Sequence, residues 1–232
     1  MTSEWEIGKD DYLKRLDCPD LECLGVFMGL PKIEKMEKII PLRAMKTIKS
    51  LLPMSDKALA YLLSRIKTLD GEHTPYKDSS FRLLKHNPNT FKLGQKYVYR
   101  EKYIGILEGL SNNFAHFNVV SGLGDLGAYF IFGDDENGKY SLACYIPPII
   151  EQHGENLVIM DGVNRDYIAK QAGMTMHVII VEKVLTPFPT SFHNWEEISV
   201  IHLADRPKEV SERYFDLNKG LFRDLKYLGI DG

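Results

Sequence analysis

The first ninety residues carry apolar side chains at the three- and four-residue spacing of helices. One stripe follows Pro41 and consists of Met45, Ile48, Leu51 and Leu52. A second stripe follows Ser55, runs to Gly71 and consists of Leu59, Leu62, Leu63, Ile66 and Leu69. Proline suits the first turn of a helix, serine suits its N-cap and glycine suits its end. The pattern predicts a helical N-terminal extension over residues 1–90. The break at Pro53 leaves two alternatives, an accessory helical bundle and a helix-turn-helix.

Beyond residue 90 the pattern changes to that of strands. Residues 72–90 are rich in His, Pro, Ser, Asn and Asp, and form the predicted boundary. Tyr97–Ile104 alternates apolar and charged residues, and Phe117–Val120 is a short aromatic and β-branched run. Ala128–Ile146 is typical of a β-hairpin whose turn is Asp134–Gly138. We therefore expect residues 91–232 to form a separate domain.

A glycine-rich segment, Gly122–Gly127, matches the pattern G-x-G-x-x-G. The dinucleotide-binding fingerprint needs such a loop to open a helix, because free backbone N–H groups at the helix start hold the pyrophosphate. Here the segment leads into the predicted strand Ala128–Phe132. We predict a glycine-rich connection rather than a dinucleotide site.

The most regular part of the chain is a strand–turn–helix–strand unit. Leu157–Met160 is a predicted strand, and Arg165–Ala172 is a predicted short helix with Gly173 just past its end. Met176–Val184 follows as a second strand rich in β-branched residues. From Val210 onward, apolar residues at steps of three and four predict a C-terminal amphipathic helix.

Charge and composition narrow the class of protein. The 29 basic and 32 acidic residues give a net charge of −3. Broad nucleic-acid binding needs a basic surface, so this balance leaves room only for a local basic patch. The longest apolar runs, such as Met176–Val181, fall far short of the ~20 residues of a membrane span, so no membrane partner is expected. Residues 1–11 carry no apolar stretch of the signal-peptide type. Cys18, Cys23 and Cys144 have no metal-like spacing, and we predict reduced thiols in a cytoplasmic protein.

The turn after the strand Leu157–Met160 carries the strongest chemical signal. Asp161 and Gly162 lie at the carboxyl end of this strand, where ligand sites of α/β folds are found. Glycine permits a tight turn, and the following helix start favours an anion by about 0.3–1 kcal/mol. Asn164 can donate a hydrogen bond, and Arg165 offers a planar fork of donors that suits a phosphate. Two interpretations stay open: a phosphate cradle, or a helix cap at Asp161 with Arg165 paired to a surface acid.

The segment from Tyr145 to Val184 resembles the core of the ParB/sulfiredoxin superfamily. Members show a proline-containing strand end, a strand ending in D-G-x-H-R or G-x-x-R, a short helix, a glycine and a β-branched strand. The resemblance implies an α+β or α/β fold in which a small mixed sheet contains a ParB/sulfiredoxin-like β-α-β core. The helical extension at residues 1–90 and the C-terminal helix would flank this core.

The same resemblance implies a nucleotide ligand, ATP or CTP, with Mg²⁺. Gly162, Asn164 and Arg165 would contact phosphate, and Asp161 would position the loop. Many relatives have histidine at the place of Asn164, and asparagine cannot carry charge or relay a proton. No cysteine lies between Asp161 and Arg165, so sulfiredoxin activity is not expected.

Three further residues are candidates for this site. Glu151 follows a proline-rich strand and is a candidate base or magnesium ligand, the alternative being a solvated turn acid. His193 and Trp195 lie in an aromatic, proline-bounded loop that would stack a base or form a lid, the alternative being that Trp195 is a packing anchor. No histidine pair has zinc-ligand spacing, so no protein-bound metal centre is predicted.

These residues predict a nucleotide-binding protein whose chemistry is phosphoryl transfer or nucleotide hydrolysis, with Glu151 and Asp161 as the catalytic carboxylates. The alternative is a non-enzymatic, DNA-associated regulator that contacts DNA or a protein through its N-terminal helices. A ParB-like nuclease of a partition, DNA-modification or phage-defence system is a third option, and it would use Glu151 and Asp161 as a metal-holding pair.

Overall fold

A computed structural model of the chain describes residues 6–30, 33, 35–102 and 123–228. They form a mixed α+β protein with two compact units. The first unit combines residues 1–66, 127–146 and 224–232, and the second combines 67–126 and 147–223. The boundary predicted at residue 90 falls inside the second unit.

The helices that lie wholly within the described residues are α1 Lys9–Arg15, α2 Leu21–Met28, α3 Asp56–Leu63 and α4 Val163–Gln171. The strands are β1 Ile7–Gly8, β2 Lys38–Ile39, β3 Met45–Pro53, β4 Ser80–His86, β5 Lys92–Leu93, β6 Tyr97–Tyr99, β7 Tyr129–Asp135, β8 Tyr140–Tyr145, β9 Ile149–His153, β10 Asn156–Asp161, β11 Met176–Glu182 and β12 Ser199–Ile201. None of the described helices is long and apolar enough to cross a membrane.

The sheet of the first unit has five strands in the order β1-β2-β8-β7-β3. Its centre is the hairpin β7–β8, so the hairpin predicted over residues 128–146 is confirmed. The turn is held by Asp135, whose Oδ1 accepts hydrogen bonds from the backbone N–H groups of Asn137 and Lys139, both at 2.8 Å. Gly138 takes a φ of +72° within this turn, a conformation that favours glycine.

The prediction that residues 1–90 are helical is wrong for two long segments. Met45–Pro53 is strand β3, which pairs antiparallel with β7, and Ser80–His86 is strand β4, which pairs with β11. The β3 register shifts twice, between Met45 and Thr47 and between Ile48 and Ser50. Each irregularity adds a residue to the strand, which breaks the two-residue alternation and leaves apolar positions at helix-like spacing.

The helix predicted after Ser55 is confirmed, although it ends earlier than expected. Helix α3 begins at Asp56, and the Ser55 hydroxyl accepts a hydrogen bond from the backbone N–H of Ala58 at 3.2 Å. The helix ends at Leu63 rather than near Gly71. Because a strand precedes α3, the helix-turn-helix alternative for this region is wrong.

The sheet of the second unit has five strands in the order β4-β11-β9-β10-β5. Strands β9 and β10 form an antiparallel hairpin, and β11 returns parallel to β9. Helix α4 connects β10 to β11, with Gly173 at a φ of +63° just beyond its end. The predicted strand–turn–helix–strand unit is therefore confirmed. Its order places the turn at Gly162 at the carboxyl end of β10.

The C-terminal amphipathic helix predicted from Val210 is wrong. The chain there makes short 3-10 turns at Val210–Arg213, Lys219–Leu221 and Lys226–Leu228. Backbone groups between these turns bond to distant segments instead of to a helix. For example, the N–H of Leu69 donates to the carbonyl of Phe222 at 2.8 Å.

Three sequence predictions fall partly or wholly outside the described residues. Strand β6 covers the start of the predicted strand Tyr97–Ile104, a helix begins at Arg100, and residues 103–104 lie outside the described residues. Phe117–Val120 and Gly122 also lie outside them. The rest of the glycine-rich segment is a 3-10 turn at Leu123–Asp125 that leads to β7.

Candidate functional site

The predicted loop lies where strand β10 ends and helix α4 begins. Asp161 is the last strand residue, Gly162 is the N-cap and Val163 is the first helical residue. Gly162 has a φ of +95°, and a Cβ added to it would lie 2.7 Å from Pro148 Cβ. The turn therefore requires glycine both for its left-handed backbone and for close packing on the buried Pro148.

Arg165 is held against the end of the strand by Asp161. Its Nη2 donates to Asp161 Oδ2 at 2.7 Å, and the two side chains are 11% and 6% exposed. Burial raises the pKa of Asp161, and the opposing effect of the Arg165 guanidinium does not cancel it. Arg165 therefore has a partner within the loop itself, the buried carboxylate of Asp161.

Asn164 faces the backbone of strand β6. Its Oδ1 accepts a long hydrogen bond, 3.4 Å, from the N–H of Tyr99 at the end of β6. The amide oxygen is therefore used within the fold. The amide nitrogen is the group that suits a phosphate, since it is a donor.

Asp166, one residue beyond Arg165, is a buried acid that sequence reasoning missed. Its side chain is fully buried, and within the described residues neither carboxyl oxygen has a hydrogen-bond partner. Burial raises the pKa of Asp166 well above its ordinary value, against the lowering effect of Arg165. The raised pKa favours the neutral acid. No sequence signal separates this aspartate from an ordinary acid in the first turn of a helix.

The loop fits an anion better than a divalent cation. Helix α4 has no side-chain hydrogen bond at its N-cap, and helix N–H groups and a nearby guanidinium both attract phosphate. Mg²⁺ prefers ionised carboxylates, whereas Asp161 is paired with Arg165 and burial favours the neutral form of Asp166. Over the described ranges no group of three His, Cys, Asp or Glu side chains is placed to hold a metal ion.

Glu151 is neither a solvated turn acid nor a carboxylate open to a ligand. It lies within strand β9, and its side chain is fully buried. Arg223 donates from Nε to its Oε1 and from Nη2 to its Oε2, both at 2.8 Å. The Tyr76 hydroxyl donates to Oε1, and His153 Nε2 lies 2.7 Å from Oε2. Burial alone would raise the pKa of Glu151, but its hydrogen bonds with His153 and Arg223 give a net lowering.

The network around Glu151 stabilises the fold and is separate from the loop. Glu151 pairs with Val158, three residues before Asp161, which corresponds to about 10 Å along the strand. Arg223 also donates to the carbonyls of Thr186, Pro187 and Leu221. Since Arg223 lies 72 residues from Glu151, no local sequence pattern indicated the pair.

Trp195 is a packing anchor rather than a base-stacking side chain. It is 7% exposed and belongs to the core of the second unit. Its Nε1–H donates to the carbonyl of Pro88 at 2.8 Å, and its ring lies 6.0 Å from that of Tyr167 on α4. A nucleobase would have to displace these contacts.

His193 does not contact the loop Gly162–Arg165 through its ring nitrogens. Its two ring nitrogens face Ser191 and Glu197, and its ring stacks on Phe215. Of the predicted site residues, the structure therefore brings together Asp161, Gly162, Asn164 and Arg165. It places Glu151, His193 and Trp195 in other environments.

Comparison with protein-family models, with curated proteins and with solved structures found no match to this chain. Its function therefore has to be inferred from its own residues.

Proposed function

We propose that this protein binds a nucleotide through its phosphates, at the loop Gly162–Arg165. The observation that carries the proposal is the turn at Gly162. A buried strand ends there, glycine adopts a φ of +95°, and helix α4 starts with no side chain at its cap. Such a turn presents backbone N–H groups to an anion, as in other phosphate-binding loops.

The charges beside the turn support an anionic ligand. The helix start contributes about 0.3–1 kcal/mol toward an anion. Asp161 fixes the Arg165 guanidinium one turn into the helix, where a planar fork of donors can make charge-assisted bonds to phosphate. The Lys102 charge also acts on Asp161 and adds to the positive potential.

The order of elements is also consistent with the ParB/sulfiredoxin resemblance. The hairpin β9–β10 is followed by the glycine turn, by α4 and by β11 parallel to β9. Pro148 packs against Gly162, which gives a physical reason why a proline and a glycine accompany each other in this motif. In line with that resemblance, ATP and CTP are the first nucleotides to test.

The proposal is for binding, and we derive no catalytic step. The two expected catalytic carboxylates, Glu151 and Asp161, are both held by arginines. Glu151 on β9 pairs with Val158 of β10, three residues before Asp161, so the two carboxylates are about 10 Å apart along the sheet and do not form the metal-holding pair of a nuclease. Any Mg²⁺ would arrive with the nucleotide, because the loop's own carboxylates do not fit it.

The DNA-associated alternative would need other helices than the pair predicted on either side of Pro53, because strand β3 takes the place of the first of that pair. Helices α1 and α2 are the N-terminal helices that such a regulator would use. A nucleotide site needs only a few cations at one loop, which the net charge of −3 allows.

Calorimetric titration with ATP, CTP, ADP, GTP and inorganic phosphate, with and without Mg²⁺, tests the proposal. We expect at least one nucleotide to bind, and Arg165→Gln to weaken its Kd by about 10- to 100-fold, since a charge-assisted hydrogen bond contributes about 1.5–3 kcal/mol. Lys170→Gln, the same charge change near the end of the same helix, should leave Kd unchanged.

Arg165→Gln leaves Asp161 buried without its charged partner, so the fold of this variant is checked by circular dichroism. If the single variant is unfolded, the double variant Asp161→Asn/Arg165→Gln, which removes both charges, is used in its place. Failure of every nucleotide to bind the native protein, or equal affinity in the folded Arg165 variant, would refute the proposal.

A further inference from the structure

The aromatic loop after β11 contains a serine, a histidine and a glutamate in a hydrogen-bonded chain. Ser191 Oγ lies 3.0 Å from His193 Nε2, and His193 Nδ1 lies 2.7 Å from Glu197 Oε2. A nucleophile, a base and a carboxylate that orients the base are linked in this order in serine hydrolases of unrelated folds.

The carboxylate is fixed before any substrate arrives. Glu197 Oε1 accepts the backbone N–H of Asn194 at 2.9 Å, while Oε2 faces the histidine. These hydrogen bonds, from Asn194 first and His193 second, lower the pKa of Glu197 and favour the ionised form. An ionised carboxylate on Nδ1 selects the tautomer whose Nδ1 carries the proton, so Nε2 offers its lone pair to Ser191.

The imidazole is also held by its surroundings. Its ring stacks on Phe215 at a centroid distance of 3.6 Å and an interplanar angle of 20°. The backbone of His193 exchanges two hydrogen bonds with Leu93, both at 2.9 Å. A base held on both its ring and its backbone keeps the geometry that proton transfer requires.

The triad is open to a substrate. Ser191 is partly exposed, and the side chain of His193 is 24% exposed. The rings of Phe188 and Phe192 pack edge-to-face at 5.5 Å next to the nucleophile in sequence, and both are partly exposed. Within the described chain the backbone N–H of Phe192 has no hydrogen-bond acceptor. The N–H that follows the nucleophile is a usual oxyanion donor.

We propose that Ser191, His193 and Glu197 form a second site that hydrolyses small activated esters. Ser191 Oγ attacks the carbonyl carbon while its proton passes to His193 Nε2. The alcohol leaves with that proton, and an acyl-Ser191 ester remains. Water then attacks this ester, returns a proton through His193 and releases the carboxylic acid. The site is independent of the nucleotide loop.

The alternative role for the same contacts is to stiffen the loop, and covalent labelling separates the two. The native protein is treated with a fluorophosphonate probe, and the labelled peptide is identified by mass spectrometry. Hydrolysis of p-nitrophenyl acetate is followed in parallel, including any initial burst. We expect the label on Ser191, and at least a 100-fold loss of ester hydrolysis in Ser191→Ala, within the range for loss of a positioned proton-transfer system.

Matched variants complete the test. Ser211→Ala removes an exposed serine of the same unit and should change neither labelling nor rate. Glu197→Gln keeps an oxygen for Asn194 but loses the charge, so it should slow labelling while the protein stays folded. Absence of label on Ser191, or ester hydrolysis equal in folded native protein and Ser191→Ala, would overturn the proposal.

Discussion

Replacing Gly162 with alanine tests whether the turn is built as the structure describes. Gly162 has a φ of +95°, and an added Cβ would lie 2.7 Å from Pro148 Cβ, 2.8 Å from its Cγ and 2.9 Å from its Cα. All three distances are shorter than real Cβ contacts. Since Pro148 is itself buried and its carbonyl accepts the N–H of Ile179 at 2.8 Å, it cannot move away freely.

Two costs combine in Gly162→Ala. A side chain in the left-handed region costs about 1–2 kcal/mol, and overpacking a buried contact adds about 1–3 kcal/mol. The free energy of unfolding should therefore fall by about 2–5 kcal/mol. Gly173, at the other end of the same helix, has a φ of +63° with nothing within 4 Å of an added Cβ. Gly173→Ala carries the first cost alone and should lose about 1–2 kcal/mol.

Urea unfolding followed by circular dichroism measures both variants against the native protein. The difference between the two alanines isolates the contact with Pro148. Equal destabilisation by Gly162→Ala and Gly173→Ala would refute the close packing of Pro148 on the turn, and with it the structural basis of the proposed phosphate site.

The other predictions concern buried polar groups. Glu151→Gln should cost about 3–5 kcal/mol, because it leaves Arg223 buried without its charged partner. The pKa of Glu151 in the folded protein is lowered from 4.5, so the ionised side chain stabilises the fold above that pH and this stabilisation is lost as the pH falls. In urea unfolding, the free energy of unfolding of Glu151→Gln should therefore fall less steeply with acidification than that of the native protein. Asp166→Asn should raise the free energy of unfolding at pH 7. The pKa of Asp166 in the folded protein is raised from 3.8, so the native protein is destabilised increasingly as the pH rises above that value, and asparagine removes this penalty. The gain should disappear below pH 3.8, and a gain that persists there would contradict the burial argument. Trp195→Phe should lose about 1–3 kcal/mol through the bond to Pro88 and the lost ring volume, measured by the same unfolding assay.

The candidate site was predictable to the extent that its signal is local. The loop consists of the end of strand β10, a glycine, the start of helix α4 and Arg165. These parts follow one another within a few residues, so the sequence shows their order. The ion pair of Arg165 with Asp161 was not predicted, although the two are four residues apart, because the sequence does not show that both side chains are buried. Asp166 was missed for the same reason.

Sequence alone determined the elements whose causes lie within four or five residues. The Ser55 cap of α3, the turn of the β7–β8 hairpin and the glycine turn before α4 are of this kind. Their stability depends on hydrogen bonds and backbone conformations that the neighbouring residues decide.

Tertiary structure decided the elements whose partners are distant in the chain. Met45–Pro53 is a strand because its backbone pairs with that of β7. The tail from Val210 forms short turns because its backbone groups make hydrogen bonds to other segments. Glu151 became a buried network centre because Arg223, 72 residues away, supplies the matching charge. Pairing energy of this kind outweighs helix propensity of a few tenths of a kcal/mol per residue, and only the folded chain shows which distant groups are in reach.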